Sequence, residues 1–266
     1  MFLKSGLRFN GLRGPSGLPL ALSRSMAFGA YTLFSIGRVE AHWCARPKSE
    51  REAIFDRHLQ RWCRSLLALF GIELELEGRQ PQPSPCARLI LSNHRSPLDI
   101  AILLALFPEG YIVSRHDVAD WPIVGAAARR ARVLYVDRAR VGSGAGVIRG
   151  MRRVLQEGGT LIVFPEGKVH AGDEVGAFHR GAFVAAQGLK VEVLPIGLAY
   201  PPGHEFLDDT FWQHIRRVAG KAKSRVALVY GAPFPATGTL ETLQEAQNRV
   251  QELVRRARDL YDRGAP

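Results

Sequence analysis

The spacing of apolar and polar residues follows two regular patterns along most of this chain. Short apolar runs are typical of buried strands, and apolar residues three or four positions apart are typical of helices that pack on one face. Strands are predicted at 73–77, 87–91, 133–136, 160–164, 191–196 and 225–230, and another is predicted to end at Arg115. Because strands and helices alternate, we expect one α/β domain whose sheet is covered by helices on both faces.

Helices are predicted where apolar residues repeat at helical spacing. One lies between Pro47 and Gly71, one is centred on Met151, and one runs from Leu240 to Tyr261. The first carries an apolar face formed by Phe55, Leu59, Trp62, Cys63, Leu66, Leu67 and Phe70. That face is suited either to the core or to a membrane, and we favour the core because packing is the usual role of such a stripe.

The N-terminal part of the chain has a different pattern. Basic residues among positions 1–13 precede an apolar tract from Leu18 to Ile36, which Arg24 divides into short pieces. A membrane span needs about 20 largely apolar residues, so an interfacial or re-entrant helix fits better. A signal peptide is the weaker alternative, because Arg24 breaks the apolar core and no convincing cleavage site follows. We predict a membrane-associating segment at 1–46 and one globular domain at 47–266.

The net charge of +11 indicates a polyanionic partner or surface. Nucleic acid is one candidate, but the basic residues are scattered and no zinc-finger or RNA-binding motif accompanies them. An anionic membrane surface explains the charge equally well and also suits the N-terminal segment. We therefore expect a membrane partner and no nucleic acid.

The cysteines and the missing hydrolase signature exclude two further classes. Cys44, Cys63 and Cys86 form no Cys-x-x-Cys pair, which argues against a zinc site or a disulfide framework and favours the reducing cytosol. No Gly-x-Ser-x-Gly segment is present, so a serine hydrolase would lack its usual nucleophile turn.

Candidate chemistry lies where the strand at 87–91 ends. Residues 93–99 read Asn-His-Arg-Ser-Pro-Leu-Asp, and the Ser-Pro pair predicts a helix from about Pro97 to Leu106. His94 then lies in the loop and Asp99 in the first helical turn. A carboxylate that accepts a hydrogen bond from one imidazole nitrogen leaves the other nitrogen to take a proton. Alone, the pair is equally consistent with a helix cap beside an incidental histidine.

Three later segments accompany this pair. Val-Asp-Arg stands at 136–138, Phe-Pro-Glu-Gly at 164–167 and Val-Leu-Pro-Ile-Gly at 193–197. Together with the His-Asp segment they resemble, in order, the four blocks of the glycerolipid acyltransferases, typified by 1-acylglycerol-3-phosphate acyltransferase, over residues 89–234. The resemblance implies a mixed sheet flanked by helices, N-terminal membrane-docking helices, and an acyltransferase domain. It also implies transfer of a fatty acyl group from acyl-CoA or acyl carrier protein to a lysolipid hydroxyl.

The resemblance implies roles for particular residues. His94 is the catalytic base and Asp99 its orienting group. Arg138 binds the acceptor's phosphate, which suits a guanidinium fork, although a surface arginine at a strand end is the plainer alternative. Glu166 and Gly167 help to bind the acceptor and shape its pocket, although Pro-Glu-Gly is also ordinary turn chemistry.

The residues after Gly167 depart from the family's usual continuation, in which Thr or Ser and then Arg follow. Lys168 keeps a positive charge near the expected phosphate, and a similar Phe-Pro-Glu-Gly-Lys-Val run occurs in tafazzin-like transacylases. Arg180, within a segment resembling the family's Phe-Lys-Arg-Gly, is a further expected substrate contact. Pro195 interrupts a predicted strand, so it marks an edge or a bulge, or lines the site. The resemblance favours the site.

These implications combine into a hypothesis. His94 deprotonates the lysolipid hydroxyl, and backbone amides near Pro97 stabilise the tetrahedral oxyanion. No metal or cofactor is expected, since acyl-CoA or acyl carrier protein is itself the donor substrate. The expected acceptor is 1-acylglycerol-3-phosphate, with lyso-ornithine lipid or another lysophospholipid as the alternative, at the cytoplasmic face of the cell membrane. A non-catalytic lipid-binding or scaffolding protein, or a carrier or nucleic-acid-binding module, remains the alternative of another class.

Overall fold

The computed structural model describes residues 17–115, 132–136, 143–202, 204–206 and 210–264. In chain order the helices and strands are α1 (Leu18–Ala45), α2 (Lys48–Leu69), β1 (Ile72–Glu77), β2 (Ala87–Ser92), α3 (Leu98–Leu106), β3 (Tyr111–Arg115), β4 (Val133–Val136), α4 (Ser143–Gln156), β5 (Thr160–Val163), α5 (Gly181–Ala186), β6 (Val191–Ala199), α6 (Phe211–Ala219), β7 (Ser224–Tyr230), β8 (Phe234–Pro235) and α7 (Thr239–Arg263). The predicted strands and helices are present, and β6 is longer than expected because it continues to Ala199.

The described strands form one mixed sheet. Their order is β1-β7-β6-β2-β5-β3-β4, with β8 pairing with β6 off this path. The β6–β7 and β6–β8 pairs are antiparallel, whereas the other pairs are parallel. The α/β class and the mixed sheet flanked by helices are therefore confirmed.

Helices cover both faces of the sheet, because side chains along each strand alternate between two cores. Ile90 of β2 belongs to the core beneath α1, α2, α3 and α6, whereas its neighbours Leu89 and Leu91 belong to the core beneath α4, α5 and α7. The first core includes Cys63, Leu66 and Leu67 of α2, and Phe70, which follows this helix. The prediction that this helix packs on the core is confirmed.

Arg24 joins α1 to the rest of the domain. It is 2% exposed, and its guanidinium donates to four backbone carbonyls rather than to a carboxylate. The acceptors are the carbonyl oxygens of Phe70, Ala219, Lys221 and Ala222, at distances of 2.6–3.3 Å. The first two lie at the C-terminal ends of α2 and α6, where the helix dipole favours a cation. The residue that interrupts the apolar tract in the sequence is therefore a buried anchor.

The N-terminal segment contributes to the domain core. Ala21 and Phe28 of α1 belong to the same core as the sheet residues, and α1 packs against α2 and α6. Other large apolar side chains of α1 remain exposed, namely Leu18, Leu22, Met26, Leu33, Phe34 and Trp43. Among the described helices, none has both the length and the apolar character needed to cross a membrane. The division at residue 46 stays a prediction.

Pro195 lies inside β6, at a gap between two partner strands. Along this side of β6, β8 pairs with 192–193 and β7 with 196–199. The Pro195 carbonyl accepts from Gly231 N at 2.9 Å, so the missing N–H would point to the same side, into the gap. The proline therefore costs no ladder bond to β2, which it faces at Leu91. This local edge reconciles a proline with a central strand.

Candidate active site

Asn93 fixes the point at which β2 ends. Its side chain is fully buried and forms two hydrogen bonds with the backbone of Leu198 in β6. Nδ2 donates to the Leu198 carbonyl at 2.9 Å, and Oδ1 accepts from the Leu198 N–H at 2.8 Å. The amide thus extends the β2–β6 pairing by one step, and the next residue, His94, leaves the sheet at a defined position. Ligands of open α/β sheets bind at this carboxyl edge of the strands.

His94 and Asp99 are in direct contact. His94 Nδ1 lies 2.8 Å from Asp99 Oδ2. The Asp99 side chain is 0% exposed and the His94 side chain 17% exposed. On its face the imidazole stacks on Phe164, with ring centroids 4.2 Å apart. The described contacts of the ring leave Nε2 without a hydrogen bond.

Asp99 accepts four hydrogen bonds. Oδ2 takes those from His94 Nδ1, Arg95 N (2.7 Å) and Ser96 N (2.9 Å), and Oδ1 takes one from the Tyr200 hydroxyl at 2.6 Å. Donors on both oxygens stabilise an ionised carboxylate, which can only accept. The hydrogen of this His–Asp contact therefore sits on His94 Nδ1, leaving the lone pair on Nε2.

The expected oxyanion donors near Pro97 stay a prediction, and four of the backbone N–H groups there already have partners within the loop. The backbone N–H groups of Arg95 and Ser96 point at Asp99, and that of Leu98 reaches Ser96 Oγ at 3.2 Å. Proline has no N–H, and the N–H of Asp99 donates to the Ser96 carbonyl at 3.0 Å. These hydrogen bonds hold the His94 loop together.

Glu166 is a buried anchor of the His94 loop. Its Oε1 accepts from the His94 backbone N–H at 2.8 Å and from Arg95 Nη1 at 3.1 Å, and its Oε2 accepts from Gly176 N at 2.7 Å. The Glu166 side chain is 0% exposed and that of Arg95 is 2% exposed. A buried carboxylate is tolerated because the ion pair and the N–H donors replace its water. Glu166 therefore faces protein groups in its described contacts.

Arg95 connects the His94 loop to the segment after Gly167. Its guanidinium donates to the carbonyls of His94 (2.9 Å), Gly172 (2.6 Å) and Glu174 (2.9 Å) as well as to Glu166. The His170 N–H returns a bond to the His94 carbonyl at 3.0 Å. The backbone on both sides of the His94 imidazole is thus fixed by the Phe-Pro-Glu-Gly block and the segment that follows it.

Comparisons with known proteins agree with this geometry. The family model described as Acyltransferase matches residues 73–199. A lyso-ornithine lipid O-acyltransferase of Pseudomonas aeruginosa is 29% identical over 217 residues, covering 77% of this chain and 81% of that protein. The chain is an O-acyltransferase, similar to the glycerolipid acyltransferases. The His94 loop and the Phe-Pro-Glu-Gly block both lie within the matched residues.

Two further proteins are similar to this chain, one in sequence and one in structure. The 1-acyl-sn-glycerol-3-phosphate acyltransferase of Neisseria meningitidis serogroup B is 27% identical over 58% of each chain. The crystal structure of the 1-acyl-sn-glycerophosphate (LPA) acyltransferase, PlsC, from Thermotoga maritima has the same fold, with a TM-score of 0.73 at 20% identity. That similarity covers 94% of this chain and 98% of the other.

The remaining predicted substrate-binding residues of the acyltransferase lie in different parts of the chain. Gly167 adopts φ +70°, which favours glycine, and its N–H donates to the Phe164 carbonyl to close the turn. Lys168 follows with an exposed side chain, and exposed Arg180 caps the start of α5. Arg138 lies outside the described residues. Pro195 lies within the sheet, in the contacts given above.

Two residues that support the site went unrecognised in the sequence. Tyr200 follows β6 immediately, and nothing in its neighbourhood marks it as a partner of Asp99, from which it is 101 positions away. Arg95 occupies a position between His94 and Ser96 that any exposed residue could fill. Its burial depends on Glu166, 71 positions away. The available signal for the role of Arg95 was its charge in a short segment between a predicted strand and a predicted helix.

Proposed function

We propose that this acyltransferase esterifies the hydroxyl of a lysolipid, with His94 as the general base. The observation that carries the proposal is the 2.8 Å contact between His94 Nδ1 and the buried, four-fold hydrogen-bonded Asp99. It fixes the tautomer in which Nε2 is a proton acceptor, and it stabilises the imidazolium that forms after proton transfer.

The reaction proceeds in two steps. Nε2 of His94 takes the proton of the lysolipid hydroxyl as its oxygen attacks the thioester carbonyl, which forms a C–O bond and a tetrahedral oxyanion. The oxyanion then collapses, the C–S bond breaks, and the imidazolium returns its proton to the departing thiolate. The products are an ester and a free thiol, and His94 is neutral again. The thioester is supplied by acyl-CoA or acyl carrier protein.

We assign head-group binding to three basic residues that the sequence singled out. Arg138, Lys168 and Arg180 would hold an anionic acceptor, because guanidinium and ammonium groups suit phosphate. Gly167 and Glu166 would shape the pocket, Glu166 by fixing the His94 backbone. Pro195 would act through the sheet that carries the site.

The first proposed acceptor is 1-acylglycerol-3-phosphate, which would give phosphatidic acid. The ordered blocks and the named relatives from Neisseria support it. A second candidate, lyso-ornithine lipid, is favoured by a separate observation. The relatives that match about three quarters of this chain, from Pseudomonas aeruginosa and Brucella abortus, are lyso-ornithine lipid O-acyltransferases.

A matched panel of acceptors tests the proposal. The purified full chain is incubated with labelled acyl-CoA or acyl carrier protein and with lysophosphatidic acid, lyso-ornithine lipid or neutral lysophospholipids. We expect a new ester-linked lipid, identified by mass spectrometry, with at least tenfold preference for one acceptor in kcat/KM, because a buried unpaired head group is strongly disfavoured. Hydrolysis of the donor without any acylated lipid would contradict acyl transfer.

We also propose that the exposed apolar side of α1 lies on an anionic membrane at the cytoplasmic face. Met26 is 76% exposed and Leu33 is 63% exposed, seven positions apart and hence on one side of the helix. Exposed Arg46 and Lys48 follow at the junction with α2, where they can contact lipid phosphates. A water-soluble donor and a membrane-bound acceptor would then meet at the same surface.

Charging the apolar side tests membrane docking. The Met26→Glu/Leu33→Glu variant should bind vesicles containing phosphatidylglycerol at least about tenfold more weakly, since two apolar side chains no longer enter the interface. The measurement is co-sedimentation of the protein with vesicles. Leu240→Glu, at a 56% exposed leucine of α7, is the matched control and should leave binding unchanged. Equal loss in both variants would mean that charge alone, rather than α1, controls binding.

A further inference from the structure

Tyr200 brings a buried hydroxyl to the far side of Asp99. Its oxygen lies 2.6 Å from Asp99 Oδ1, while the other carboxylate oxygen faces His94. Tyr200 is 2% exposed and follows directly on β6, so the sheet fixes its position. Its backbone carbonyl is also held, by Arg258 Nη2 of α7 at 2.8 Å. The hydroxyl, the carboxylate and the imidazole therefore form one continuous chain of hydrogen bonds.

The direction of this chain is fixed. Burial, and then the Asp99 charge, raises the pKa of Tyr200 well above its ordinary value, so the phenol stays protonated and donates. A carboxylate that receives a donor on Oδ1 has less negative charge to offer on Oδ2. The strength with which Asp99 attracts a proton to His94 therefore depends on whether the Tyr200 hydroxyl is present.

We infer that Tyr200 is a positioning residue of the acyl-transfer site, which holds Asp99 Oδ1 and limits how strongly Asp99 favours protonated His94. This inference rests on the proposed role of His94 as base. Without the hydroxyl, Oδ1 would be a buried acceptor with no partner, and its charge would be directed at the imidazole.

Among the described residues, titratable groups that contact the His94 loop lie in the segment after β5, in the loop itself and in α6, where His214 Nε2 lies 3.0 Å from Ser96 Oγ. Glu166 contacts the His94 backbone, Arg95 lies against Glu166, and His170 Nε2 lies 3.9 Å from Glu166 Oε2. None of these groups is changed by a substitution at Tyr200, whereas the hydroxyl contacts Asp99 directly. A change confined to Tyr200 therefore reports on the Asp99–His94 contact.

The test compares Tyr200→Phe with Tyr230→Phe. Tyr230 is also buried, but its hydroxyl has no hydrogen-bond partner among the described residues, so its removal breaks none of the described bonds. In Tyr200→Phe the acid limb of the kcat/KM profile should move to higher pH by about 0.5–1 unit, since a hydrogen bond to a charged group is lost. Activity at neutral pH should then fall several-fold and recover at alkaline pH. Tyr230→Phe should follow the wild-type profile.

A second measurement needs no turnover. In protein labelled at histidine, the NMR titration of the His94 ring should move to higher pH in Tyr200→Phe. It should move to lower pH when all tyrosines carry 3-fluorotyrosine, a stronger donor that keeps the fold. A His94 titration unmoved by both changes overturns the inference, as does a pH-independent loss shared with Tyr230→Phe. If the panel yields no acylated lipid but the titration moves, the contact stands and the proposed reaction fails.

Discussion

His94→Ala should lower the turnover of acyl transfer by on the order of 10²–10⁴-fold, the usual contribution of a general base. The variant leaves the binding of the lysolipid and the thioester unchanged but removes the imidazole that is proposed to accept the proton. Because the rest of the site is intact, the KM for the lysolipid should change little. Initial rates with the acceptor selected by the panel provide the measurement.

The controls for this result are a structural readout and a second histidine. Far-UV circular dichroism of His94→Ala should match the wild type, because the His94 side chain is partly exposed and packs mainly on Phe164. His179→Ala removes an exposed histidine beside α5 and should retain wild-type turnover. Near-normal turnover in His94→Ala would exclude the proposed mechanism, whatever its effect on folding.

A large effect on stability is expected when the buried ion pair between Arg95 and Glu166 is broken. Arg95→Met should destabilise the protein by about 3–5 kcal/mol, because it leaves the Glu166 carboxylate buried without its charged partner. It also removes the donors to the Gly172 and Glu174 carbonyls, which connect the segment after β5 to the catalytic loop. The free energy of unfolding from denaturant titration checks this value.

An exposed ion pair serves as the control that distinguishes the effect of burial from the loss of charge alone. Arg256 donates to Glu77 Oε1 at 2.8 Å with 47% of its side chain exposed, so Arg256→Met should cost less than about 1 kcal/mol. A double-mutant cycle with Arg95→Met and Glu166→Gln should show coupling, the double variant being less destabilised than the sum of the singles. Additive effects would mean that the two side chains stabilise the fold independently.

The contacts of Glu166 also predict how its substitution would affect turnover. Glu166→Gln keeps an oxygen that can accept from the His94 N–H but loses the negative charge opposite Arg95. Since Glu166 holds the His94 backbone rather than the imidazole, its loss should act through loop position. That relation distinguishes Glu166 from Asp99, whose carboxylate contacts the ring itself.

Much of this fold follows from local pattern. Strands and helices were predictable because side-chain period is set within a few residues: Leu89, Ile90 and Leu91 alternate between two cores, and α2 presents one apolar face. The His94–Asp99 contact was predictable for the same reason. Its partners are 5 positions apart, so the turn into α3 can bring them together.

The contacts that complete the site join distant parts of the chain, and only the tertiary structure decided them. Tyr200 reaches Asp99 because β6 lies beside β2, and Glu166 reaches the His94 loop because β5 lies on its other side. Local spacing carries no information about which strands become neighbours. It also cannot show that amides near Pro97 are already bonded, or that a gap beside β6 accommodates Pro195.

Arg24 illustrates the same limit in the N-terminal segment. From the sequence it was a charge that interrupted an apolar tract and disfavoured a membrane span. Its acceptors are carbonyls at the ends of α2 and α6, up to 198 positions away, and they become a cation site only once those helix ends meet. The sequence determined the elements and the reactive pair, because both are local. Tertiary packing decided what holds that pair in place, because hydrogen-bond partners are chosen by proximity in space.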